Sequence, residues 1–162
     1  MTKTNYPIEK VSWEEVKELA YNIAKKMEQD NVKIDVIIPV LRGGMPLALL
    51  LSSILNVSEM ACIHIRRSLS DEPNAEFGKP TLKGITNDKI IKNANVLIVD
   101  DTLDSKETLD YARNIIQQYR PRNIEIAILY NFNKETFNEI YSGEEVREYK
   151  WVVFPWEENK EV

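Results

Sequence analysis

The chain has 162 residues, 43% of them hydrophobic, and a formal net charge of -5, which suits one domain with a single substantial core and excludes two ordinary domains or a disordered chain. The acidic balance argues against nucleic acid as the main partner, because affinity for a polyanion depends on accumulating Lys and Arg. No apolar run approaches the roughly 18 residues of a bilayer span, and Met1 to Pro7 lacks the apolar core of a signal peptide, so a cytoplasmic protein with no membrane partner is expected.

The elements alternate. Ser12-Trp13-Glu14-Glu15 has the capping-box form, and Val16, Leu19, Ala20, Ile23 and Met27 follow at helical spacing. Ile34 to Val40 reads as a first core strand, and the run from Pro46 to Leu55 as a helix with Pro near its start. Met60 to Ile65 reads as a second strand, with Cys62 expected as a small buried core residue that has no intramolecular disulfide partner. Arg66 to Lys89 carries Pro73, Gly78, Pro80 and Gly84 with weak periodicity, and a loop of that length is functional or disordered. Val96 to Val99 is a third strand, Leu109 to Tyr119 a helix and Ile124 to Tyr130 a fourth strand. Strands and helices in this order predict an α/β fold with a central, mainly parallel sheet flanked by helices.

The chemistry concentrates at Val96-Leu97-Ile98-Val99-Asp100-Asp101-Thr102-Leu103-Asp104-Ser105-Lys106-Glu107-Thr108. Apolar residues read as a buried parallel strand, and ligands of open α/β sheets sit beyond the carboxyl ends of such strands. The paired carboxylates Asp100 and Asp101 suit sugar hydroxyls or a hydrated Mg²⁺, a cation that prefers hard oxygen ligands. Ser105 and Thr108, with the free N–H groups of the helix that follows, suit a phosphate. Together these point to a phosphorylated sugar; the alternative on local chemistry alone is a strand end, a helix cap and solvated carboxylates.

This segment resembles the phosphoribosyl-pyrophosphate (PRPP) motif of the type I phosphoribosyltransferases. Pro39-Val40-Leu41-Arg42-Gly43-Gly44-Met45-Pro46 resembles that family's pyrophosphate loop. Lys150-Trp151-Val152-Val153-Phe154-Pro155-Trp156-Glu157 resembles the purine-site segment of bacterial and archaeal xanthine-guanine phosphoribosyltransferases. The matches run in family order from Ile34 to Glu157. The resemblance implies a single domain over 1–162, with a core over about 34–135 and a small hood made by the N-terminal part and 139–162.

The resemblance also implies roles. Asp100 and Asp101 would engage the ribose hydroxyls or the Mg²⁺ water shell, and Ser105, Lys106, Glu107 and Thr108 would form the 5′-phosphate loop. Arg42 would bring a fixed positive charge and Gly43 close backbone approach to the pyrophosphate, next to a Leu41–Arg42 peptide that is cis in some members. Asp104 would manage the proton at purine N7, its other reading being a helix cap. Trp151 would stack on the base, Val152 would add apolar contact, and main-chain groups near Trp156 and Glu157 would read its exocyclic edge. The Arg66–Lys89 loop would close over the site. His64 reads as structural, and without a Cys/His metal cluster any metal would arrive with the pyrophosphate substrate.

Two positions depart from the family. Lys106 stands where the phosphate loop usually has Gly, and Asn131, Phe132 and Asn133 precede Lys134 where purine members commonly place a Lys that meets the 6-oxo group. The expected function is Mg²⁺- and PRPP-dependent transfer of phosphoribosyl to a nucleobase, a 6-oxopurine in salvage, yielding pyrophosphate and a nucleoside 5′-monophosphate. The alternatives are an enzyme for another base or a catalytically weakened PRPP- or nucleotide-binding regulator. The family implies a homo-oligomer.

Overall fold

The computed structural model describes residues 6–67, 78–136 and 139–157. Eight strands and three helices follow in the order β1 (Ile8–Lys10), α1 (Trp13–Gln29), β2 (Val36–Leu41), α2 (Met45–Leu55), β3 (Cys62–Arg67), β4 (Pro80–Thr86), β5 (Asn95–Leu103), α3 (Glu107–Gln118), β6 (Asn123–Asn131), β7 (Tyr141–Glu145) and β8 (Trp151–Val153). Six strands form the central sheet in the order β4-β3-β2-β5-β6-β7, and β1 pairs with β8 in a separate small sheet. Every pairing is parallel except β3 with β4.

Strand periodicity sorts the central side chains into two layers. Ile37, Leu97, Val99, Ala127 and Leu129 face α1 and α2, meeting Ala20, Ile23, Met27, Leu47 and Leu51. Val36, Ile38, Val40, Val96, Ile98 and Ile128 face the other way onto Leu109, Ala112 and Ile116 of α3. Both faces are covered, which is why these strands read as continuous apolar runs rather than alternating ones. The capping box forms as the sequence predicts: Glu15 N–H donates to Ser12 Oγ at 3.2 Å, and Ser12 N–H donates to Glu15 Oε2 at 2.7 Å. Lys26 at the far end of α1 donates to the Ser142 carbonyl at 2.8 Å, tying the helix to β7.

Several boundaries differ from the expectations. Residues 80–86 of the presumed loop form β4, whose Leu82 N–H donates to the Tyr111 hydroxyl at 3.2 Å; residues 68–77 lie outside the described ones. β4 escapes a periodicity search because most of it is exposed at a sheet edge, where no buried face imposes alternation. Strand β5 runs on through the acidic residues to Leu103 instead of stopping at Val99. Within residues 139–157, β7 extends the central sheet while β8 pairs with β1. Cys62 is only part-buried on β3, because strand alternation turns Ile63 and Ile65 to the core and leaves Cys62 on the face of the exposed His64 and Arg66. His64 lies exposed on the same strand.

Candidate active site

The carboxyl ends of β2 and β5 lie side by side, with Val36↔Val96 through Pro39↔Val99 in register. The loop after β2 therefore faces the acidic end of β5. Its Leu41–Arg42 peptide is cis. A Cβ on Gly43 would collide with the Asp101 carboxylate, and one on Gly44 with the Val99 carbonyl. Gly43 therefore lets backbone meet a carboxylate with no side chain between them, and α2 begins immediately afterwards with Pro46 in its first turn. The exposed Arg42 and the positive end of the α2 dipole make this side of the cleft positive, although the Gly44 and Met45 N–H groups already donate to the Val40 and Arg42 carbonyls.

On the opposite side, Asp101 N–H donates to Asp100 Oδ1 at 2.9 Å, and Thr102 N–H donates to Asp101 Oδ1 at 2.7 Å. Burial, followed by the Asp101 charge, pushes the Asp100 carboxyl well above the usual carboxylate range. Burial also raises Asp101, and the Glu157 carboxylate adds to that effect. Adjacent carboxylates held in this way gain from a cation, and their hard oxygens fit Mg²⁺ rather than a soft metal.

Two adjoining cavities share Asp101 and Glu157. The larger, about 590 Å³, is walled by Arg42, Gly43, Met45, Pro46 and Trp156 as well. The smaller, about 180 Å³, adds Thr102, Asp104, Phe132, Tyr149, Lys150, Trp151, Val152 and Phe154. Trp151 is 50% exposed, whereas Val152 is buried, and both line the smaller cavity. Phe154 and Trp156 stack at 4.5 Å with 4° between planes, and Trp156 leans on Trp13 at 5.6 Å. Asp104 is exposed at the rim of the smaller cavity, and its carboxyl is raised by burial among its neighbours. Among the described residues it accepts no hydrogen bond and caps no helix, because α3 starts at Glu107 with Lys106 as its N-cap residue.

Ser105 and Lys106 precede α3, and Glu107 and Thr108 occupy its first turn. These residues wall neither cavity. Lys106 has φ -70° and ψ -14°, an ordinary right-handed conformation, and its Nζ lies 3.3 Å from Glu135. Glu107 pairs with Arg67 at the end of β3. Phosphate binding here would rest on the free amides of the helix start, since no residue of this turn adopts a left-handed conformation.

Asn131 occupies the end of β6 fully buried, donating to Thr136 Oγ1 at 3.0 Å and Ser142 Oγ at 3.2 Å. Lys134 sits exposed in the short 3-10 turn that follows and reaches neither cavity. The lysine that does wall the smaller cavity is Lys150. Sequence reading missed Thr102, Phe132, Tyr149 and Lys150 as cleft residues. Thr102 was legible as part of the acidic segment and Lys150 as part of the purine-site segment; Phe132, just after β6, meets Tyr149 only through the fold.

The phosphoribosyl transferase domain model matches residues 8–160, which takes in all the described elements and both walls of the cleft. The chain belongs to that family. Among solved structures, this phosphoribosyltransferase is similar to a purine phosphoribosyltransferase from Pyrococcus horikoshii, with 28% identity, 96% of this chain and 97% of that chain covered, and a TM-score of 0.74. A xanthine-guanine-hypoxanthine phosphoribosyltransferase from Helicobacter pylori shares the fold at 21% identity, with 93% and 94% covered and a TM-score of 0.70. A hypothetical protein from Neisseria gonorrhoeae, solved with bound ppGpp, shares it at 20% identity, with 93% and 89% covered and a TM-score of 0.79. No curated protein matches the chain. No helix among the described residues is long and apolar enough to cross a membrane.

Proposed function

We propose that this phosphoribosyltransferase moves the 5-phosphoribosyl group from PRPP to a 6-oxopurine (guanine, xanthine or hypoxanthine), releasing pyrophosphate and a nucleoside 5′-monophosphate for salvage. The observation that carries this reading is the approach of Gly43 to Asp101 at the head of a cleft that continues to the exposed face of Trp151. Likeness to the Pyrococcus enzyme supports a purine as the base.

Displacement at the anomeric carbon builds positive charge on the ribose, so the protein must position two partners and stabilise a departing anion more than supply a nucleophile. Arg42 and the backbone at Gly43, at the positive end of α2, bind the pyrophosphate. Asp100 and Asp101 orient the ribose hydroxyls and hold Mg²⁺, which would neutralise charge on the pyrophosphate. The helix start from Ser105 to Thr108, with Lys106 and Glu107, takes the 5′-phosphate. Trp151 stacks on the purine above Val152, the Glu157 segment meets its exocyclic edge, and Asp104 accepts the proton released at N7. The small sheet acts as a hood over the base, and the chain works as a homo-oligomer.

A panel of guanine, xanthine, hypoxanthine, adenine, uracil and orotate with Mg²⁺ and PRPP, scored for nucleotide and pyrophosphate, tests the reading. Product from the three 6-oxopurines and not from the others is the expected result. The full engagement of Asn131 and the exposed position of Lys134 favour a second reading, an enzyme for another base. Retained PRPP binding without product from any base would point instead to a nucleotide-binding regulator, for which ppGpp is the next ligand to try in view of the Neisseria protein.

A further inference from the structure

Lys150 walls the smaller cavity together with its neighbours Tyr149 and Trp151, and its ammonium is held by two carboxylates. Its Nζ lies 2.7 Å from Glu9 Oε2 on β1 and 2.6 Å from Glu144 Oε1 on β7, and 5.2 Å from the ring centre of Tyr130 on β6. Glu144 and Tyr130 are register partners in the central sheet, whereas Glu9 pairs with Val152 in the small one. One side chain thus joins two sheets that share no strand pairing. Its side chain is 17% exposed, against 38% and 40% for the two carboxylates. Burial disfavours the ammonium, yet the hydrogen bonds to Glu144 and Glu9 outweigh it and hold the group above its usual range.

From this junction, and resting on the base site proposed above, we propose that Lys150 is a positioning residue that locks the small sheet onto the central one, fixing Trp151 against the base and so setting affinity for base-containing ligands. Lys150 immediately precedes Trp151, the first residue of β8, so anchoring residue 150 restrains where the backbone places 149 and 151 in the cleft wall. Two carboxylates surround one ammonium. Removing the lysine leaves like charges facing one another across the two sheets, a repulsive effect beyond the lost attraction. The ribose and phosphate groups, held by β2, β5 and α3, do not depend on this junction.

Calorimetry with guanosine 5′-monophosphate and with ribose 5-phosphate, together with amide hydrogen exchange of the ligand-free protein, separates positioning from general stability. Lys150→Met is expected to weaken the nucleotide about tenfold while leaving ribose 5-phosphate within about twofold. Exchange should quicken in β1 and β8 and stay unchanged in β2 and β5. Lys150→Arg should restore both properties. Combining Lys150→Met with Glu9→Gln and Glu144→Gln removes the repulsion, and this neutral variant supplies the same comparison if the single one fails to fold. Equal losses for the two ligands, or unchanged exchange in β1 and β8, would overturn the proposal. Failure of the parent protein to bind the nucleotide would defeat the base-site reading itself, a result that the exchange data cannot mimic.

Discussion

Asp104 differs from its acidic neighbours in standing exposed at the cavity rim without a hydrogen-bond donor among the described residues. Its carboxyl is nonetheless raised by burial, so it becomes a base only above the usual carboxylate range. Asp104→Asn keeps the shape and removes the acceptor. Transfer is expected to slow by roughly 10²–10⁴-fold with PRPP affinity retained, the range for losing a general base. The parent's rate should fall as pH drops through the raised carboxyl, and the variant should lack that acid limb; an unchanged single-turnover rate would remove Asp104 from the role. Lys106 gives a second residue-level test. Its backbone is right-handed, so Lys106→Gly relieves no strain. The variant should bind PRPP somewhat less tightly, for loss of one positive charge near the phosphate, and a gain in both affinity and transfer would show that the side chain obstructs the loop.

At the scale of elements, the turn between β2 and α2 is pressed against the end of β5 by two consecutive glycines with different neighbours. A Cβ on Gly43 would meet the end of the Asp101 side chain, whereas one on Gly44 would meet the Val99 carbonyl and lie 3.0 Å from the Val40 carbonyl oxygen. A side chain can rotate, but strand backbone cannot. Gly43→Ala should therefore displace Asp101 and weaken PRPP and pyrophosphate by tenfold or more on the order set by one lost charged contact, with little change in melting temperature. Gly44→Ala should instead push α2 off the sheet and cost about 1–3 kcal/mol, as overpacking does. Thermal melts and calorimetry on the pair check the division, and equal effects of the two substitutions would contradict it.

For the whole molecule, the buried Asp100 carboxyl ties stability to pH. Burial and the Asp101 charge raise the Asp100 carboxyl in the folded state, so the fold holds a proton that the unfolded chain releases. That contribution is present below the ordinary aspartate value and is lost as pH rises through the raised one. Asp100→Asn removes the titration. Its melting temperature should exceed the parent's at neutral pH, by roughly 2–4 °C for each kcal/mol recovered. The advantage should shrink as pH falls toward about 4. The same variant should lose Mg²⁺-dependent affinity for PRPP. A melting temperature lower than the parent's at every pH would mean that Asp100 stabilises the fold instead.

Local rules determined much of this protein from its sequence. Ser12 and Glu15 define a helix start by contacts three residues apart, and the apolar runs of β2, β5 and β6 announce strands covered on both faces. The acidic segment and the paired glycines were legible for the same reason, because each group of residues is contiguous and its chemistry is local. What the chain could not disclose is which distant side chains meet. Edge strands β4 and β7 bury too little to imprint a period, and β1 with β8 is a pairing across most of the chain. Lys106 stood where the family's loop usually has Gly until its backbone angles were known, and Asn131 stood in the stretch where purine members commonly place a Lys, although Thr136 and Ser142 engage it. Lys150 read as the first residue of the purine-site segment, with no partner assigned to it. Only tertiary structure brings Glu9, Glu144 and Tyr130 around it, because the energy of an ion pair depends on distance in space and on exclusion of water, and neither is written in sequence spacing.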